Sequence, residues 1–488
     1  EGKTFLARVG QPLSITQQFH EIGSIDDWQR KVENSYCENF KLTGDVDFSG
    51  KRLIAYDESY ANKLILRLVG TKGSASDYDI TSADDEAELP YYIIKSAELN
   101  TSMNFLKTDF GWMYCKSVGL IRAVIGECKN VAFEGINIKG KDYHTGIIGS
   151  GTGFMQGVIF KDCTVSGSYQ SGMVGLFRGS MKNISLLNCR FNGSGSTDQG
   201  SLAGCLKNGA NNVVSDIKAD NCTVIGKSNT IGGIFGYMTN GDVAPMKKAE
   251  MKISNVKVTD STIQAGNAYS GAVIGYANVY GLLENAEISN CRITGKANAG
   301  GIIGYTFMNI QKSTVSDCEI TGTIDSGGIA GFVRSTSYTD ENTIKDSIVK
   351  GIDRIGGIAG QSDRDVNGNT VLRCTIQGSG TGVGGAVGQG AAKRAKVKDC
   401  LIVGNSTVGG IVGQHDTNSI VIKIGTGIND YNGLVDNCKI YGGQKVGGAT
   451  GNQAAGGSGA MVVNSEIRGW SIVGGYAGSL GKGSIQHG

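Results

Sequence analysis

The sequence predicts an all-β chain: a right-handed parallel β-helix of about 12 to 14 coils, with a short helix at its N-terminal end. Three observations carry this. A Gly-apolar-apolar-Gly phrase recurs roughly every 25 to 39 residues, a period at which one unit cannot bury its own apolar face and must stack on copies of itself. Clear copies are Ile147-Ile148-Gly149, Ile234-Phe235-Gly236, Ile302-Ile303-Gly304, Ile329-Ala330-Gly331, Ile358-Ala359-Gly360 and Ile411-Val412-Gly413. A second segment, such as Val315 to Gly322, alternates apolar and polar residues, the period of a strand with one buried face. Helical periodicity is absent, and 77 Gly among 488 residues would tax any helical repeat.

Taken in order, residues 1–23 read as a linker or the end of a preceding segment. Residues 24–117 read as an N-terminal cap with irregular first coils, and 118–488 as the regular repeats. Ser24-Ile25-Asp26-Asp27 has the form of a capping box with Asp in place of Glu. Ile25, Trp28 and Val32 follow at helical spacing, so Ser24 to Tyr36 is expected to be a helix over the open end, with Trp28 pointing into the first coil. Phe40, Leu42, Val46 and Phe48 read as strands broken at Gly44, and Lys63 to Val69 as another. From Gly119 the repeats run on, with two or three short strands per coil. Coils stack about 4.8 Å apart, so the rod should be roughly 60–70 Å long. A Gly or Asn ends nearly every strand, as a corner with positive φ would require. Right-handed winding follows from the handedness of parallel crossovers.

Composition excludes several function classes. Formal net charge is +2 and no basic block exists, which argues against a nucleic-acid partner. No apolar run reaches the ~18 residues of a spanning helix, so the chain is read as not membrane-spanning. Eight of the 12 cysteines (Cys163, Cys189, Cys222, Cys291, Cys318, Cys374, Cys400 and Cys438) share one repeat position, where Ser261, Ser347 and Ser465 also occur. A site that accepts Cys or Ser is expected to be a buried column of reduced thiols, because stacked side chains point in parallel and suit a disulfide poorly. No C-x-x-C pair suggests zinc.

The phrases Gly301-Ile302-Ile303-Gly304-Tyr305 and Gly410-Ile411-Val412-Gly413-Gln414 resemble the GLUG motif of bacterial surface proteins. Phe40 to Gly50 is similar to the opening strand of such β-helices. Gly119-Leu120-Ile121, Asn130-Val131 and Ile136 to Gly140 resemble a first coil. The resemblance covers most of 36–480, and extends more weakly to exported β-helix proteins of gut Bacteroidetes. It implies an adhesin-type protein, at the cell surface of a bacterial outer envelope or secreted. It implies no catalytic residues.

Function on a β-helix sits on the outside of the rod, where loops of neighbouring coils stack. The inserts Met238–Lys252, Arg334–Asn342, Ser362–Gly368 and His415–Gly433 should leave one corner and form a wall. The residue after the Gly phrase is Tyr237, Tyr276, Tyr305 and Phe332 in four coils, then Gln361, Gln389, Gln414 and Asn452 in the next four. Facing outward, these would make an aromatic and then an amide strip suited to sugar rings and hydroxyls. Stacked aromatics and amides also stabilise a β-stack with no ligand at all, and the pleat leaves both readings open.

A charged set lies at matching inserts: Arg334, Asp363, Arg364, Asp365, Lys393, Arg394, His415 and Asp416. It could serve a polysaccharide lyase, with Ca²⁺ on the acids and a basic side chain removing a proton. Exposed charge pairs are the plainer reading. The Asp/Asn column before the cysteines (Asp162, Asn188, Asn221, Asp260, Asn290, Asp317, Asp346, Asp399, Asn437 and Asn464) could ligate calcium, but turn chemistry explains it equally. His144 reads as a surface residue. The expectation is therefore a monomeric, non-enzymatic β-helical protein, without metal or cofactor, that binds an extracellular glycan or a host or bacterial surface protein. The alternatives are a polysaccharide lyase or glycosidase, the only case in which Ca²⁺ enters, and a structural spacer.

Overall fold

The computed structural model describes residues 18–33, 35–50, 64–72, 91–100, 117–140, 144–195, 198–207, 212–227, 229–240, 251–415, 433–453 and 460–480. Within them the chain is a parallel β-solenoid of about 12 turns with almost no helix. Successive coils of the repeats pair in parallel, with a register shift between Gln361 and Asp365.

Coils hold from two to five strands where two or three were expected, and four is common. One such coil runs through Tyr269–Gly271, Ile274–Asn278, Gly281–Ser289 and Arg292–Thr294. Inward residues alternate with outward ones, so Ile274, Ala277, Leu283, Ala286, Ile288 and Ile293 are buried in one continuous core. Each coil buries its apolar edge only by stacking on two neighbours, which is why the repeat extends as a rod.

The corners obey two different rules. The ten Asp/Asn residues before the cysteine column all have φ between 48° and 55°. Asn and Asp tolerate this left-handed conformation better than other residues with a β-carbon. Side-chain bonds link them from coil to coil, as in Asn188 Nδ2 to Asp162 Oδ1 at 3.1 Å and Asn221 Nδ2 to Asn188 Oδ1 at 2.9 Å. The column is turn chemistry. The strand-ending glycines, such as Gly322 and Gly442, differ from the expectation, since their φ is not positive, and neither is that of the glycines of the Gly phrase. The glycines of the phrase are needed for space: a β-carbon on Gly304 would lie 2.6 Å from the Gly275 carbonyl oxygen of the preceding coil.

The eight column cysteines are free and at most 3% exposed. Their chemistry explains the exchange with serine. Each sulfur or hydroxyl lies within bonding distance of the carbonyl two residues back, as in Cys291 Sγ to Ser289 O at 3.1 Å and Ser261 Oγ to Thr259 O. Several also accept the main-chain N–H of the coil before: Cys291 N donates to Cys318 Sγ, Cys318 N to Ser347 Oγ, and Cys374 N to Cys400 Sγ. Ser and Cys both supply a small side chain with one donor and one acceptor, while the first coils place Ala97 and Ile136 at the same position.

At the N-terminal end, Ser24 Oγ caps a short helix by accepting from Asp27 N, and the Asp27 carboxylate accepts from Gly23 N. The helix is shorter than expected: an α turn at Ile25–Asp27 passes into a π turn at Trp28–Val32. Tyr36 already belongs to the strand Tyr36–Leu42. Trp28 and Val32 are fully buried, and the indole meets Phe48 edge-on at 5.9 Å. The segment read as a linker is structured at its end, because His20–Ile22 pairs in parallel with Phe40 to Leu42.

Candidate functional site

The outer face of the rod carries one continuous column on the strand that follows each Gly phrase. Its register runs Tyr237, Tyr276, Tyr305, Phe332, Gln361, Gln389, Gln414 and Asn452. The flanking residues Phe235 and Met238, or Ile303 and Thr306, are buried, so the pleat turns the column outward. The rings are half-buried, chiefly against one another. Centroids lie 5.4 Å apart for Tyr237–Tyr276, 4.9 Å for Tyr276–Tyr305 and 5.2 Å for Tyr305–Phe332. The last two pairs meet edge-to-face, the arrangement that ring quadrupoles favour.

Tyr269 was missed by the sequence reading and belongs to the same surface. Its ring lies 5.1 Å from Tyr276 and 5.4 Å from Tyr305. It comes from the strand before the Gly phrase, so the outward columns on both sides of this corner face one another. Asp198, Thr230, Tyr269, Asn298, Asp325 and Arg354 share one column, each at a constant offset ahead of the first residue of the next strand. That offset was the available signal. Asn298 and Asp325 are 6% and 5% exposed. Asn298 Nδ2 donates to Asp325 Oδ2 at 2.9 Å, and Arg354 pairs with the same carboxylate through Nε and, at 3.2 Å, NH2. Burial nevertheless pushes Asp325 above the ordinary carboxylate range. Asp198 is raised for the same reason, although Thr230 and Gln170 donate to it.

Phe307 and Arg334 complete the aromatic surface. Phe307 lies 5.8 Å from Tyr305. The Arg334 guanidinium sits 5.2 Å from the Phe332 ring centre, 5.9 Å from Phe307 and 6.0 Å from Tyr305, a cation over several ring faces. Its NH1 reaches Asp363 Oδ2 at 3.4 Å. Burial, then the neighbouring phenols, pushes Tyr276 up to about 12. Tyr305 is also raised by burial, an effect that Arg334 opposes.

The charged set is only partly brought together. Arg334 and Asp363 pair across adjacent coils. Arg364 Nε donates to the Ser335 carbonyl, and Arg394 Nε to Asn367 Oδ1 at 2.9 Å. Lys393 lies opposite Asn367 in register, further along the strand than Asp363. The Asp365 side chain, Asp416 and the inserts 241–250 and 416–432 lie outside the described residues. His144 is half-buried beside Tyr169, with ring centres 5.3 Å apart. Among the described residues no group of His, Cys, Asp and Glu is placed to hold a metal ion.

A shallow depression of about 480 Å³ lies over the Asp/Asn corner, between Asp260, Arg292, Asp317, Glu319 and Asp346. Its charges are largely matched. Arg292 and Lys350 pair with Glu319, and Arg373 with Asp346 at 2.6 Å. No family model matches the chain, and neither does any curated protein or solved structure.

Proposed function

We propose that this chain is a non-enzymatic β-solenoid that binds an extracellular glycan along its aromatic column, as a cell-surface or secreted protein. One observation carries the reading: Tyr237, Tyr276, Tyr305 and Phe332 stand outward, in register, on a surface where a purely apolar ladder would be expected to point inward. Exposed rings accept the apolar faces of pyranoses, and the amides of Gln361, Gln389 and Gln414 continue the strip with groups that bond hydroxyls. The rings lie 4.9 to 5.4 Å apart, near the coil step of about 4.8 Å, which is close to the advance of one sugar in an extended chain. A polysaccharide lying parallel to the rod would therefore meet one ring per sugar. The lyase alternative has no comparable support, because Arg364 and Arg394 are engaged by Ser335 and Asn367.

The test is a glycan array with the wild type and the Tyr276→Ala/Tyr305→Ala double variant. Binding by the wild type and its loss in the variant is expected. The rings also pack on one another, so the variant should lose about 1–3 kcal/mol of stability. A wild type that binds no glycan, or a folded double variant that binds as well as the wild type, refutes the reading.

A further inference from the structure

We infer that the glycan is acidic, a uronate-bearing polysaccharide whose carboxylate is taken by Arg334 at the end of the aromatic column. This rests on the glycan reading above and deepens it. Arg334 is the cation set directly on the ring surface, within 6.0 Å of the centres of Tyr305, Phe307 and Phe332. A sugar seated on Tyr305 or Phe332 would thus bring its ring substituent to the guanidinium. The side chain is 37% exposed, so its outer edge remains open to a ligand.

Its present bonding is incomplete. The nearest approach of Asp363 to the guanidinium is at NH1, 3.4 Å, longer than a charge-assisted bond normally is. Nε is shielded from water, so a docking carboxylate would have to meet the terminal edge of the fork. A guanidinium prefers a carboxylate held by two parallel N–H groups, which Asp363 does not provide here. The rings fix the plane of the fork, so little side-chain freedom is lost when a carboxylate docks. A neutral sugar would use the rings and leave this fork unmatched.

The experiment measures binding of an oligogalacturonate and of its carboxyl-reduced, neutral counterpart by titration calorimetry on the whole chain. The wild type should prefer the acid by about tenfold, the worth of one charge-assisted contact. Arg334→Gln should abolish that preference while leaving the neutral oligosaccharide bound. Asp363→Asn removes the competing carboxylate and should strengthen binding of the acid several-fold. It also guards against misfolding, since a gain of affinity needs a folded protein.

Equal binding of both oligosaccharides by the wild type overturns the acidic assignment and leaves the glycan reading standing. Weaker acid binding in Asp363→Asn overturns it as well. Binding of neither oligosaccharide, with none on the array, overturns the glycan reading itself. Equal binding of a polyglutamate peptide would make the site a general anion contact and overturn the sugar assignment.

Discussion

The N-terminal cap offers the sharpest test of the fold. Trp28 is fully buried and belongs to the same continuous core as the first coils. Burying an indole removes about 200 Å² from water, worth about 5 kcal/mol at about 25 cal/mol per Å². Against this, Nε1 is buried without a hydrogen-bond partner among the described residues, which costs about 1–3 kcal/mol. Trp28→Ala should therefore destabilise the end of the rod by about 3 kcal/mol. Trp28→Phe keeps a ring against Phe48 and removes the orphaned donor, so it should stay within about 1 kcal/mol of wild type. A solenoid opens from its ends and need not unfold in one step, so a single melting temperature is the wrong readout. Amide hydrogen exchange is the right one. Protection in Tyr36–Leu42 and Leu64–Val69 should fall in Trp28→Ala, while Thr375–Gly378, far along the rod, should be unchanged. A loss below about 1 kcal/mol in the first strands would refute the cap and make the helix a mere connection.

Three further outcomes are expected. Cys291→Ser should cost less than about 1 kcal/mol, because Ser261 and Ser347 already make the same two bonds. Cys291→Ala leaves a buried N–H without its acceptor and should cost about 1–3 kcal/mol, both measured by denaturant unfolding. Tyr276 should be among the last phenols to ionise, near pH 12, in an ultraviolet alkaline titration. Its folded value is raised, so its contribution to stability is complete below pH ~10, the unfolded value, and is lost as pH rises through 12. Asp198→Asn should stabilise the protein at neutral pH. The folded carboxyl is raised by burial, so the wild type loses stability as pH climbs above the ordinary Asp value; the two proteins should converge in acid, and a pH series of unfolding curves checks this.

How much was legible follows from which signals are periodic. The Gly phrase and the alternating strand repeat with each coil, so the stacked parallel architecture could be read from them directly. So could the buried thiol column, since the Cys/Ser exchange points to a small side chain that can both donate and accept. The aromatic column was visible as a repeated position, but its direction was not, because both residues before each glycine are apolar and the pleat could have gone either way. Tyr269 escaped because it reaches the surface from the strand before the Gly phrase, and Phe307 because it lies just past the end of the strand that carries Tyr305.

Local rules thus determined the elements: which residues alternate inward, where the Asp and Asn corners turn left-handed, and where Ser24 starts a helix. Only the tertiary structure decided the rest. It made the Gly phrase a point of close backbone approach, since the crowding carbonyl of Gly275 belongs to another coil. It cut the helix short of Tyr36 by pairing that strand with Leu64–Val69. It also placed Arg334 over its neighbour Phe332 and over Tyr305 and Phe307 of the preceding coil. Periodicity records what one coil does to itself, and contacts between coils depend on register, which the stacking of the whole core sets.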